Sequence, residues 1–99
     1  MTRSASVPLA TAVLVICTVA CGHPATRDDC ETIFRRTAEL TLREGKMTDK
    51  AEIAQRVAAV RTAKGEALLK SCVGKRITDG AMRCVREAPS KSSLEACLR

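Results

Sequence analysis

Residues 28–45 read DDCETIFRRTAELTLREG and carry the pattern of one long amphipathic helix. Asp28 is placed to act as N-cap, with Glu31 three residues on as the returning carboxylate of a capping box. Cys30, Phe34, Ala38 and Leu42 follow at spacing four, and Ile33 and Leu40 widen that stripe. Glu31, Arg35, Glu39 and Arg43 form an alternating-sign ladder on another face, the usual pattern of a solvated helix surface. Gly45 then stops the helix.

The chain beyond Gly45 repeats this grammar. Asp49, with Glu52 as its capping-box partner, opens a second long helix that runs to about Val73, before Gly74. Its apolar stripe is not straight. At 100° per residue Ile53, Val57 and Val60 centre on one direction, whereas Leu68, Leu69 and Cys72 centre roughly 90° away. Arg61, Lys64 and Gly65 lie at the changeover, so the pattern predicts a bend near Gly65 or a helix that changes partners there. Thr78 or Asp79 can cap a short third helix containing Met82, Cys84, Val85 and Ala88, which Pro89 ends. Ser90 or Ser92 caps a final helix carrying Leu94, Cys97 and Leu98, with Ser92 and Glu95 as a further capping box. No stretch alternates in the manner of a strand and no internal repeat is present. The expected fold is therefore all-α: a small disulfide-stapled array of about four helices, two longer and two short, after a cleaved N-terminal signal.

The staples are needed because the core is poor in large side chains. Phe34 is the single aromatic residue of 99, and much of the 45% hydrophobic fraction is alanine or belongs to the N-terminal 20 residues. Without those, about 78 residues remain, a size at which one core supplies only a few kcal/mol. Six cysteines with no Cys-x-x-Cys pair point to an oxidising compartment rather than to zinc ligation.

Residues 1–20 have the order of an export signal. Arg3 is the one charged side chain before an apolar run from Val7 to Val19, and small residues follow at Ala20 and Gly22. Gly22-His23-Pro24 ends the run short of the roughly 20 apolar residues a membrane span requires. Thr18-Val19-Ala20-Cys21-Gly22 resembles the lipobox of bacterial lipoproteins, in which a small residue precedes a cysteine that receives diacylglycerol before the leader is cut away. Ala20 and Cys21 fit it, Val19 is acceptable, and Thr18 stands where the family usually has Leu. The alternative is ordinary cleavage after Gly22, with Ala20-Cys21-Gly22 as the small-x-small site, which gives a periplasmic or secreted protein. The expected organisation is thus a signal peptide at 1–20, a lipidated cysteine and polar tether at 21–27, and a helical disulfide-stabilised domain at 28–99.

Cys17 is lost under either cleavage and Cys21 is acylated or removed, so Cys30, Cys72, Cys84 and Cys97 remain for the domain. Four cysteines allow three pairings. An antiparallel hairpin about Pro89 brings Cys84 to Cys97 and leaves Cys30 with Cys72. Cys72 with Cys84, and Cys30 with Cys97, stays open because Cys72 and Cys84 also flank a turn. Cys84-Val85-Arg86-Glu87-Ala88-Pro89-Ser90, running into Leu94-Glu95-Ala96-Cys97, looks like the Cys-x3-Ala-x-Ser/Thr and Leu-x-x-Cys pattern of small four-cysteine helical lipoproteins of Gram-negative bacteria. With the capped helix at Cys30 the resemblance spans most of the mature chain, and it implies an architecture without implying an activity.

Charge is uneven. Residues 22–55 hold six bases and seven acids, 56–86 hold eight and two, and 87–99 hold two and two. Within the basic third, Arg56, Lys75, Arg76, Arg83 and Arg86, together with Arg61, Lys64 and Lys70, are candidates for contact with an anionic envelope component or an acidic protein. The competing reading is a solvated, solubilising face. Export and the lack of stacking aromatics disfavour nucleic acid. His23, the single histidine, is expected in a solvated linker; with Asp28, Asp29 or Cys30 it makes a poor metal site, since zinc needs three or four placed ligands. No nucleophile elbow, Cys-His arrangement or free base suggests catalysis, and no cofactor or metal is expected. Two function classes follow: a non-enzymatic interaction or structural module lipid-anchored in the bacterial cell envelope, at the outer membrane, or a small effector or inhibitor released by cleavage after Gly22.

Overall fold

The computed structural model describes residues 22–99. The expected signal peptide and the acylation site at Cys21 lie outside the described residues. Four helices and a two-stranded ladder make up the rest. The first strand, β1, is His23–Pro24 and the first helix, α1, is Arg27–Glu44. A second helical rod, α2, has two α-helical halves, Lys50–Val60 and Glu66–Cys72, joined by a π-helical turn, Arg61–Gly65. The second strand, β2, is Arg76–Ile77, and two short helices follow, α3 (Asp79–Glu87) and α4 (Lys91–Cys97). The all-helical array of two longer and two shorter helices is thus present. Among the described residues no helix is long and apolar enough to cross a membrane.

The ladder was not expected, and it corrects the reading of residues 22–27 as a tether. β1 and β2 pair antiparallel, His23 opposite Ile77 and Pro24 opposite Arg76. Ala25 extends the pairing: its amide donates to the Lys75 carbonyl at 2.6 Å and its own carbonyl accepts from Gly74 N at 2.9 Å. Its side chain is 4% exposed and packs with Cys30, Leu69, Ile77 and Met82. Two residues are too few for an alternating pattern, so strand periodicity carried no signal here.

Docking of Ala25 also moves the helix start. The chain leaves the ladder at Thr26, which caps α1: its Oγ1 accepts from Asp29 N at 3.1 Å, and the Asp29 carboxylate accepts from Thr26 N at 3.0 Å. This is a capping box of the expected chemistry displaced two residues from Asp28. The other helix starts fall at expected cap residues, without the capping boxes expected from Glu52 and Glu95. Asp49, Thr78 and Ser90 each accept a backbone hydrogen bond from the first turn of α2, α3 and α4. Gly45 occupies the C-cap of α1, but the left-handed residue is Lys46, at φ 75°.

The π turn accounts for the crooked stripe of α2. The inward residues are Ile53, Val57, Arg61, Gly65, Leu69 and Cys72; Val60 and Leu68, on the flank, are exposed. An i→i+5 turn holds one residue more than an α turn, setting the following helix back by about 100° of phase. That rotation matches the offset between the two apolar directions. Both halves therefore pack on α1, and the second half also meets Ile77 and Met82 through Leu69.

Against its other sides α1 receives α3 and α4. The core has two parts. One gathers Ala25, Cys30, Leu69, Ile77 and Met82, the other Leu40, Val85, Ala88 and Leu94, and Ile33 of α1 touches both. The cysteines pair as Cys30 with Cys72 and Cys84 with Cys97, at Cα separations of 5.9 and 5.7 Å. The first ties the start of α1 to the end of α2 beside the ladder, and the second clamps α3 to α4 across Pro89. Arg36 adds a polar clamp, donating from Nη2 to the Ala88 carbonyl at the end of α3 at 2.8 Å, where a cation also suits the helix dipole.

Candidate functional site

Two regions carry chemistry beyond packing. The first is the ladder end, where the chain enters the domain. Gly22 lies there with φ +73°, and a Cβ in its place would stand 2.4 Å from the Ile77 carbonyl oxygen. Only glycine fits that backbone against that neighbour. The Gly22 carbonyl accepts from Arg76 Nη1 at 3.1 Å. Gly22 is consequently built into the fold, one residue after Cys21.

His23 is part of the same end and is not a solvated linker residue. Its Nε2 lies 3.3 Å from Asp29 Oδ2 and its Nδ1 lies 3.7 Å from Asp79 Oδ1, joining β1 to the starts of α1 and α3. The two carboxylates face opposite ring nitrogens, so the three side chains do not converge on one ion. Asp29 is held below the usual carboxylate range, chiefly by the Thr26 amide and further by His23. Among the described residues no group of three or more His, Cys, Asp or Glu is arranged to hold a metal ion.

The basic residues singled out in the sequence are dispersed. Lys75 precedes β2 and Arg76 belongs to it, hydrogen-bonded to Gly22. Arg56 lies about 24 Å of helix from the Cys72 end of α2, 4.0 Å from Glu52. Arg83 and Arg86 project from the exposed side of α3. Arg61 belongs to an interhelical network: its guanidinium makes two bonds to Glu31, Nη2 to Oε1 at 2.6 Å and Nε to Oε2 at 3.2 Å, and approaches Glu66 Oε1 at 3.6 Å. Glu66 in turn accepts from Arg27 at 2.5 Å. Arg61 holds the Glu31 carboxyl below its ordinary range, and Arg27 does the same for Glu66.

The second region is a groove of about 460 Å³ between α1 and the first half of α2. Phe34, Ile53, Ala54, Val57 and Ala58 supply its apolar lining. The groove exists because α2 meets α1 here through Ile53 and Val57 with alanines on either side, so little volume fills the space beside Phe34. The charged ladder of α1 forms its rim, with Arg35 and Arg43 exposed to solvent. Arg35 pairs with Glu39 at 3.6 Å and Glu31 reaches across to Arg61, which leaves Arg43 and Lys50 without an ionic partner among the described residues. The sequence signal for this groove was the alanine run of α2 opposite the one aromatic residue. Comparison with known protein families, with curated proteins and with solved structures finds no match to this chain.

Proposed function

We propose that the protein is a lipoprotein of the bacterial cell envelope, held to a membrane through acylated Cys21 and acting as a non-enzymatic interaction or structural module. The observation that carries this reading is the place of Gly22. Cleavage before Cys21 retains it, together with its packing on Ile77 and its bond to Arg76. Cleavage after Gly22 removes both and leaves β1 without its first anchor. Retention of these contacts supports processing as a lipoprotein.

The same geometry alters the character of the anchor. With Gly22, His23 and Ala25 docked, no flexible tether separates Cys21 from the domain, so an acyl chain on Cys21 holds the ladder end against the lipid surface. Lys75 and Arg76 lie at that end, where cations add about 1 kcal/mol each next to anionic headgroups. Two disulfides in so short a domain suit an oxidising compartment.

Fractionation tests this reading. The wild-type chain is expected in the membrane fraction and resistant to high salt, whereas Cys21→Ser abolishes acylation and processing at that site. A wild-type protein recovered wholly in the soluble periplasmic or culture fraction overturns it.

A further inference from the structure

We propose that the groove between α1 and α2 binds a medium-chain fatty acid, with its carboxylate at Arg43 and Lys50 and its chain lying along Phe34, Ile53 and Val57. The volume, about 460 Å³, falls in the range of small-molecule sites that combine an apolar lining with a few placed polar groups. Phe34 is the protein's single aromatic residue, yet it belongs to neither core cluster and stays half-exposed in this groove.

Charge gives the site a direction. Arg43 lies in the last turn of α1 and Lys50 is the first residue of α2, so both stand at the end where the two helices join. Neither has an ion-pair or side-chain hydrogen-bond partner among the described residues. The opposite end is closed by Glu31 bound to Arg61, and on the flank Glu39 lies 3.6 Å from Arg35 and 3.4 Å from Arg36. An anionic head is thus attracted at the Arg43 end and finds a carboxylate at the other. From Phe34 to Arg43 the groove follows about 14 Å of helix, suited to a medium-length acyl chain. Ala54 and Ala58 keep the wall low enough for such a chain to lie down. The site makes no use of Cys21 and stands whether or not that residue is acylated.

The test uses residues 22–99, which hold all four helices, both disulfides and the ladder, with folding checked by circular dichroism. Laurate, dodecanol and dodecyltrimethylammonium, each below its micellar concentration, are titrated while NMR shifts of Phe34, Ile53 and Val57 are followed. Laurate is expected to saturate those shifts and to bind about tenfold more tightly than dodecanol, with the ammonium weakest. Arg43→Glu combined with Lys50→Glu removes the preference of laurate over dodecanol and leaves dodecanol binding unchanged; Ala58→Phe fills the groove and weakens both. Equal affinity for all three head groups in the wild type overturns the proposal, as do shifts confined to residues outside the groove or the absence of saturable binding.

Discussion

Gly22 is the residue on which most depends. Its positive φ and its contact with Ile77 leave no room for a side chain, so Gly22→Ala is expected to destabilise the purified domain by about 1–3 kcal/mol, measured by urea denaturation. An unchanged midpoint contradicts the assignment of Gly22 to the fold. A second residue-scale prediction concerns acid. Asp29, Glu31 and Glu66 are all held below the usual carboxylate range. A depressed native pKa means that the ionised form is favoured by folding. The contribution is complete above the unfolded values near 4 and fades as pH falls through the lower native values. Thermal midpoints are therefore expected to hold from pH 7 to about 5 and to fall below about 4. Glu31→Gln with Glu66→Gln should flatten that decline; an unaltered slope places the acid sensitivity elsewhere.

At the scale of elements, the π turn is the device that lets one long rod stay on one partner. Because it holds one extra residue, deleting Ala63 is expected to restore a regular helix while Ile53 and Leu69 both still face α1, and Cys30–Cys72 still forms. Inserting an alanine after Ala63 turns Leu69 and Cys72 away by about 100° and prevents that bridge. Non-reducing peptide mapping of the two variants distinguishes them, and loss of the bridge in the deletion contradicts the phase argument. The sequence showed the fault in the stripe through the angles of Ile53, Val57, Leu68, Leu69 and Cys72. It did not show the cure, because a bend, a new partner and a π turn all satisfy the same offset. Helix starts at Asp49, Thr78 and Ser90 were legible since a cap needs only local chemistry. The start of α1 was displaced by contacts with Lys75 and Gly74, 50 residues away or nearly so, which no local pattern encodes. The same distance hid the ladder and the docking of His23. Of the groove, the charged ladder and Phe34 were visible in the sequence, but the reach of Glu31 to Arg61 depends on how α2 lies across α1.

For the whole molecule, a core assembled from alanine, a few aliphatic residues and half-cystines leaves stability to the cross-links. Their contributions should differ with the length of chain each closes. Cys30–Cys72 spans 42 residues and Cys84–Cys97 spans 13, so loop closure assigns them about 4 and about 3 kcal/mol. Replacing both cysteines of the first pair by serine is expected to destabilise the domain more than replacing both of the second, as read from urea midpoints of the two variants. The reverse order contradicts the view that the Cys30–Cys72 bridge, set between the ladder and both long helices, is the main staple.

That bridge also stabilises the end of the domain from which the chain leads back through Gly22 to Cys21. Intact-mass and N-terminal peptide spectrometry of protein isolated from its native envelope tests the central claim most directly. The account predicts a mature chain that begins at Cys21, carries diacylglycerol and retains Gly22; a chain that begins at His23 with no lipid would contradict it.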